Sequence, residues 1–233
     1  MKIQALQKLT LLDFPGKTAC TVFTYGCNLR CPFCHNARLV TQKSEEGISE
    51  EEFFSFLKKR SGLLDGVCIT GGEPLLQKDI GDFMKKIKAE GFLVKLDTNG
   101  FYPEKLQELL SAGLVDYVAM DIKSAPDTYA KAVGLEEPDI EAVKKSVTII
   151  KNSGVAHEFR TTFVKGLHNA SDLAKIGDWL RGEEHYYLQM FVDSGELVGA
   201  SDVTGGFSAF SKEEMAEITK CLDGKVGYSV RGL

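Results

Sequence analysis

The chain has 233 residues, 43% of them hydrophobic and 26% charged, with a net charge of −5 at pH 7. That length allows one large domain or two small ones around a substantial core, and the acidic balance argues against nonspecific nucleic-acid binding, which rests on a strongly basic surface. No window approaches the ~18 apolar residues of a membrane span, and the opening run from Met1 to Lys8 has no apolar leader, so a cytoplasmic protein without nucleic-acid or membrane partners is expected.

Apolar strand-like runs alternate with amphipathic runs nearly to the end of the chain, the pattern of a parallel sheet with crossover helices. The first strand is expected from Ala19 to Tyr25. A helix follows from Ile48 to Arg60, with Ser49 as N-cap, Glu52 three residues on, and Phe53, Phe56 and Leu57 as one apolar stripe. Gly66 to Thr70 reads as a strand, Ile80 to Glu90 as a helix and Leu93 to Asp97 as a strand. Pro103 to Ser111 is a helix with proline in its first turn, and Asp116 to Asp121 a strand. Ala125 to Glu137 is polar and has room for a short helix; Ile140 to Ser153 is a helix closed by Gly154. Ala156 to Val164 is a strand, Leu173 to Arg181 a helix and Tyr186 to Phe191 a strand. The Gly- and Ser-rich stretch from Glu196 to Phe210 reads as a loop or lid, Ser211 to Leu222 as a capped helix, and Gly227 to Val230 as a last short strand. Strand-to-strand spacing is of βα-unit length, and no composition break marks a linker. The expectation is an α/β chain, one domain over residues 1–233, in an open, partial (β/α)6 TIM-like barrel or a doubly wound sheet; periodicity does not separate the two.

The chemistry concentrates in Cys27-Asn28-Leu29-Arg30-Cys31-Pro32-Phe33-Cys34-His35-Asn36, a loop directly after the first expected strand. Three soft thiolates so close together suit zinc or an iron–sulfur cluster. Structural zinc wants a fourth ligand, and His35 adjoins Cys34 too closely to supply it. A 4Fe-4S cluster with one iron open is the better fit; a disulfide is the bland rival and leaves an odd thiol. The other cysteines, Cys20, Cys68 and Cys221, lie singly in apolar segments as small core residues, so no second cluster is expected.

Further unusual residues also follow strands, where parallel α/β folds bind their ligands. Gly71-Gly72-Glu73-Pro74 follows the second strand, Asp97-Thr98-Asn99-Gly100 the third and Asp121-Ile122-Lys123 the fourth. Taken alone, the glycine pair is a tight turn, Asn99-Gly100 a good turn, and each aspartate a helix cap. Arg160 lies within the fifth strand, where a charge is costly unless paired.

The CxxxCxxC loop with Phe33 before its last cysteine resembles the radical S-adenosylmethionine (SAM) superfamily, whose open iron chelates SAM and whose reduced cluster cleaves it to a 5′-deoxyadenosyl radical. With His35-Asn36 after Cys34, it resembles the activating enzymes of glycyl-radical enzymes. The passage from Leu9 to Asn36, including Asp13-Phe14-Pro15-Gly16, is similar to the openings of anaerobic ribonucleoside-triphosphate reductase activating proteins, though this chain is longer than compact members of that group. The resemblance favours the partial barrel and implies cluster ligation by Cys27, Cys31 and Cys34. It places Phe33, Gly71, Gly72, Glu73, Asp97, Thr98, Asn99, Asp121, Lys123, Arg160 and Gln189 around SAM, with Glu73 on the amino group, Asp121 on the ribose and Lys123 on the carboxylate. The DTNG and D-hydrophobic-K stretches resemble those of pyruvate formate-lyase activating enzyme and imply a sodium or potassium ion on the carboxylates of Asp97 and Asp121 and the carbonyls of Thr98 and Ala119. Gln189 and Phe191 would line the adenine or the protein-substrate groove, and His35 would be a hydrogen-bonder rather than a ligand. The implied protein substrate is a glycyl-radical enzyme and the implied electron donor flavodoxin or ferredoxin. A radical SAM enzyme for a small molecule such as a deazapurine precursor, and a non-catalytic iron–sulfur or zinc protein, are the alternatives; release of 5′-deoxyadenosine separates the last from the enzymes.

Overall fold

The computed structural model describes residues 1–41, 47–193, 197–198 and 206–232. In chain order the strands are β1 (Ala5–Thr10), β2 (Ala19–Thr24), β3 (Gly66–Gly71), β4 (Leu93–Thr98), β5 (Tyr117–Asp121), β6 (Ala156–Phe163), β7 (Tyr186–Met190) and β8 (Tyr228–Arg231). The helices are α1 (Ala37–Thr41), α2 (Glu50–Lys58), α3 (Ile80–Ala89), α4 (Pro103–Ser111), α5 (Tyr129–Val133), α6 (Ile140–Asn152), α7 (Ala170–Trp179) and α8 (Lys212–Ile218). The strand order in the sheet follows the chain, from β1 to β8. β2, β3 and β4 pair in parallel, as do β6, β7 and β8, while β1 is antiparallel to β2.

Local chemistry explains the boundaries. Ser49 caps α2 in a reciprocal capping box with Glu52, as expected, and Asn169 with Asp172 and Ser211 with Glu214 do the same for α7 and α8. The expected short helix in the polar stretch after Ala125 is α5, and the last strand is β8. Two elements were not anticipated. The run of β1 alternates weakly and has mostly exposed side chains, so it lacks the apolar signature of a buried parallel strand. α1, only five residues long, directly follows the cysteine loop. Of the loop or lid expected from 196 to 210, residues 196 and 199–205 lie outside the described residues.

The chain divides into two compact units: Met1–Asn28, Arg38–Ala119 and Glu141–His157 form the first, and Leu29–Ala37, Met120–Ile140 and Glu158–Leu233 the second. In the first, Phe53 and Leu57 of α2, Phe83 and Ile87 of α3, and Val67, Ile69, Val94 and Leu96 of β3 and β4 are fully buried or nearly so; each such side chain contributes about 1.5–3 kcal/mol of burial. In the second, Phe159, Phe163, Tyr186 and Leu188 are buried with Leu173 and Ile176 of α7. The register of β6 on β7 sets Arg160 beside Tyr187 and Thr162 beside Gln189, and Gln189 pairs with Arg231 of β8. One face of these strands is therefore apolar and the other carries charge, the period-2 consequence of strand geometry. Cys20 and Cys68 are fully buried, as expected, whereas Cys221 is only half-buried in a 3-10 turn, Thr219–Leu222, after α8.

Candidate active site

The cysteine loop begins where β2 ends. None of the six cysteines is joined in a disulfide, so the disulfide alternative is not realised. Cys27 is half-buried in the first unit; in the second, Cys31 is buried, Cys34 is half-buried, and the Cys34 N–H donates to the Cys31 carbonyl at 3.1 Å. This set of soft donors on one short loop suits an iron–sulfur cluster.

The first unit holds the start of this loop through the turn after β3. The Gly72 N–H donates to the Thr24 carbonyl at 3.1 Å and the Glu73 N–H to the Gly26 carbonyl at 2.8 Å. A Cβ on Gly71 would overlap the Thr24 backbone, and one on Gly72 would overlap the Gly26 carbonyl oxygen. The glycine pair thus lets two strand ends touch, whatever ligand approaches it. Glu73 is fully buried. Its carboxylate accepts the Leu75 N–H at 3.0 Å, the Thr98 hydroxyl at 2.9 Å and the Asn99 N–H at 2.7 Å. It therefore cross-links the end of β3 to the end of β4. Asn99 continues the chain of contacts: its Oδ1 accepts the Phe101 N–H at 3.1 Å, and its Nδ2 donates to Asn28 Oδ1 at 2.8 Å with Cys27 Sγ at 3.8 Å. Gly100 has φ +81°, the left-handed turn expected of Asn-Gly, and its carbonyl accepts the Ser146 hydroxyl of α6 at 2.6 Å.

Asp97 is committed differently. Lys95, 1% exposed on β4, gives its ammonium to the Asp97 carboxylate and lies 3.9 Å from Cys68 Sγ and 5.9 Å from the centre of the Tyr117 ring. A lysine among Leu93, Val94 and Leu96 is the signal of this pair in the sequence.

In the second unit, Asp121 receives Lys123 Nζ on one carboxylate oxygen and Arg160 Nε on the other, each at 2.9 Å. Burial opposes the charge on Asp121, but the Arg160 and Lys123 charges hold its carboxyl well below the usual range. Burial likewise opposes the Lys123 ammonium, and the nearby Asp121 and Cys31 charges more than offset it, leaving its pKa well above the ordinary value. The ladder runs on: Arg160 Nη1 lies 3.8 Å from Glu158, whose buried carboxylate takes both Nη atoms of Arg231, at 3.2 and 2.8 Å. The Arg231 guanidinium also sits 3.5 Å from the centre of the Tyr187 ring, within cation–π range. Arg160 is thus paired, as its place in a strand requires.

The two carboxylates expected to hold a sodium or potassium ion are each paired to cations of the chain: Asp97 to Lys95, and Asp121 to Lys123 and Arg160.

The second unit also braces its share of the cysteine loop. The Arg30 N–H donates to the Val133 carbonyl at 2.9 Å, at the end of α5. Phe33 is buried with its ring edge-on to His168, 6.0 Å between centres. His168 stacks on Phe163. Its Nδ1 accepts the Val164 N–H at 3.0 Å, which leaves Nε2 to donate to the Lys123 carbonyl at 2.9 Å. Burial lowers its pKa and keeps it neutral. Val133 and His168 went unread in the sequence because each acts on a residue far away in the chain. His35 stacks on Phe191 at 5.4 Å, and His35, Thr162, Gln189, Met190 and Val192 line a cavity of about 350 Å³ at the ends of β6 and β7.

Comparison with known proteins places this arrangement. Residues 21–180 match the profile of the radical SAM superfamily. A Methanocaldococcus jannaschii protein named among the glycyl-radical enzyme activating enzymes is 36% identical over 193 residues, 81% of this chain and 79% of that protein. The pyruvate formate-lyase-activating enzyme of Clostridium pasteurianum is 27% identical over 95% of this chain and 96% of its own length. Among solved structures, Streptococcus suis SuiB bound to S-adenosylmethionine superposes with a TM-score of 0.65 at 13% identity, over 90% of this chain and 49% of that one, so the chain spans about half of SuiB. That likeness bears on the fold, an open α/β sheet of the partial-barrel type.

Proposed function

The chain belongs to the radical SAM superfamily, and we propose that it activates a glycyl-radical enzyme. It is a radical SAM enzyme whose cofactors are S-adenosylmethionine and an iron–sulfur cluster, and relatives of similar length are named activating enzymes. The single observation that carries the finer reading is the loop after β2 with three cysteines outside any disulfide, Cys27, Cys31 and Cys34; these would hold a 4Fe-4S cluster. When bound, the cluster supplies one electron, and SAM a 5′-deoxyadenosyl radical that takes a hydrogen atom from a glycine of the partner.

The chain's own residues would bind and orient. Lys123 is held charged beside Asp121, which suits the carboxylate of SAM, and Arg160 shares that carboxylate partner. Gly71 and Gly72 bring the end of β3 against Thr24 and Gly26, and Glu73, Asp97, Thr98 and Asn99 shape the rim around them. Glu73 first holds Thr98 and Asn99; the amino-group contact is a further role we assign to it. Phe33 supports the loop from within the core. Gln189 and the cavity it lines with His35 and Thr162 suit the adenine or the partner's glycine loop. We read residues 1–233 as one radical SAM domain in the cytoplasm, reduced by flavodoxin or ferredoxin and acting on anaerobic ribonucleotide reductase or a similar glycyl-radical enzyme. Among the described residues no helix is long and apolar enough to cross a membrane.

The test is anaerobic reconstitution with iron and sulfide, reduction with dithionite, and electron paramagnetic resonance with and without SAM, with 5′-deoxyadenosine assayed from the same tube. A 4Fe-4S signal that changes with SAM, together with 5′-deoxyadenosine, supports the cofactor assignment. A glycyl doublet on mixing with anaerobic ribonucleotide reductase or pyruvate formate-lyase then identifies the partner. Zinc alone, or a cluster indifferent to SAM, overturns the ligand assignment.

A further inference from the structure

We infer that Asn99 sets the reduction potential of the cluster by donating its side-chain N–H to the sulfur of Cys27, and that Glu73 holds Asn99 in place for this. The inference rests on the reading that Cys27 ligates the cluster.

Four observations within the first unit carry it. First, the orientation of the Asn99 amide is fixed by its neighbours: Oδ1 is taken by the Phe101 N–H at 3.1 Å, so Nδ2 is the atom that faces the cysteine loop. Second, Nδ2 has two acceptors before it, Asn28 Oδ1 at 2.8 Å and Cys27 Sγ at 3.8 Å; an amide carries two N–H bonds, one for each. Third, Asn99 is only 5% exposed, so water competes poorly for the second N–H and a dipole there acts through a weakly screening medium. Fourth, its backbone is fixed from beneath. The Asn99 N–H binds the fully buried Glu73 carboxylate at 2.7 Å, and that carboxylate also holds the preceding Thr98 hydroxyl.

The chemistry follows from the sign of the charge. A cluster gains negative charge on reduction, part of it on the cysteine sulfurs, and hydrogen bonds to those sulfurs are among the terms that set its potential. An N–H directed at Cys27 stabilises the reduced state more than the oxidised one and raises the midpoint. Removing it lowers the midpoint and makes the cluster harder to reduce. Asn28 is the internal control: its Oδ1 accepts from Asn99 and lies 3.9 Å from Cys27 Sγ, so it presents the sulfur with an acceptor, whose removal does not lower the midpoint as loss of an N–H donor does.

The test is a potentiometric titration of the reconstituted protein, without SAM, followed by electron paramagnetic resonance, on wild type, Asn99→Ser, Asn99→Asp and Asn28→Ala, with iron and sulfide content measured on each. Asn99→Ser keeps a short polar group near the Phe101 N–H and loses the donor. The reduction constant is expected to fall about tenfold, which is about 59 mV for a one-electron couple. Asn99→Asp removes the donor and adds a negative charge, so its midpoint falls further, while Asn28→Ala stays within about twofold of wild type. A full cluster with an unmoved midpoint in both Asn99 variants overturns the inference. So does an Asn28→Ala shift as large as that of Asn99→Ser, which would make loop shape the cause. If Asn99→Ser does not load a cluster, Asn99→Asp decides. A wild type that forms no 4Fe-4S cluster at all defeats the ligand assignment beneath the inference, and is distinguished from these outcomes by the wild-type spectrum alone.

Discussion

Glu73 and Asp121 are both carboxylates at the ends of parallel strands, and the chain uses them in opposite ways. Glu73 receives neutral donors, two backbone N–H groups and a hydroxyl, and is fully buried. Asp121 receives two full charges, Lys123 and Arg160, in a ladder that continues through the buried Glu158 to the half-exposed Arg231. The first arrangement fixes geometry, because each donor has a direction and no water competes for it. The second holds full charges together, and solvent reaches Asp121, Lys123 and Arg231 in part, so their pairing is screened and can be exchanged at modest cost. The two should therefore respond differently to salt, to pH and to substitution.

The largest effect belongs to the neutral region. Gly72→Ala would force a methyl group into the Gly26 carbonyl, which backbone movement alone can relieve. That movement displaces the residue next to Cys27. A loss of about 4 kcal/mol or more is expected, measured by urea unfolding of the metal-free protein, together with poor iron retention after reconstitution. Near-wild-type stability would mean that the β3 turn can slide on β2, and the geometric reading of this region would fail.

Glu73→Ala comes next. It leaves the Leu75 N–H, the Thr98 hydroxyl and the Asn99 N–H without their acceptor in a buried place, at about 1–3 kcal/mol for each orphaned group before relaxation. A net loss of about 3 kcal/mol, little changed between low and high salt, is the expected result. Glu73→Gln retains one acceptor oxygen and should recover about half of it. A strong salt dependence of the Glu73→Ala loss would place Glu73 with the ionic ladder instead.

The sequence made the skeleton of both regions legible and their division of labour illegible. The cysteine spacing, the Gly-Gly-Glu turn, Asp-Thr-Asn-Gly and Asp-Ile-Lys could all be found as strand-end motifs, because each is local and of unusual composition. That Glu73 binds Thr98 and Asn99 depends on the pairing of β3 with β4, 25 residues apart, and no periodicity encodes it. Lys95 could be seen as a charge in an apolar strand, but its partner two residues on reads equally well as a strand-end ligand. β1 was missed because a strand with mostly exposed side chains has no apolar period, and its place is given by pairing with β2 alone. His168 stood in a polar connection; its burial against Phe163 and the Val164 N–H on its Nδ1 keep it neutral, with Nε2 donating to the Lys123 carbonyl.

Asp121→Asn tests the ionic ladder. It leaves Lys123 and Arg160 facing a neutral amide; burial is partial, so a loss of about 1–2 kcal/mol is expected, below the range for fully buried pairs. Raising the salt concentration should shrink the gap from wild type, the reverse of Glu73→Ala. The pH dependence has a definite sign. Asp121 has a folded-state pKa below its unfolded value, so its contribution is present above about pH 4 and is lost as pH falls toward the folded pKa. Lys123 has a folded-state pKa above its unfolded value, so its contribution is complete below about pH 10 and is lost only as pH rises further. The wild-type advantage over Asp121→Asn should be flat between about pH 5 and 9 and decline in acid.

The smallest effect is expected at the open end of the ladder, and it separates charge from shape. Arg231 is 40% exposed, holds Glu158 with two nitrogens and lies over the Tyr187 ring. Arg231→Lys keeps the charge but loses the paired N–H geometry and the flat stacking surface; Tyr187→Leu keeps the ion pair but removes the cation–π contact. Each should cost about 0.5–1 kcal/mol. Their sum should exceed the double variant's loss, because both act on one guanidinium. Glu158 is nearly buried, so Arg231→Ala should cost more than either, about 1–2 kcal/mol, since it leaves that carboxylate to Arg160 alone. If Arg231→Ala were instead neutral at both low and high salt, Arg160 would be sufficient partner for Glu158 and Asp121 together. The ladder would then end at β6, with β8 attached by its backbone pairing to β7.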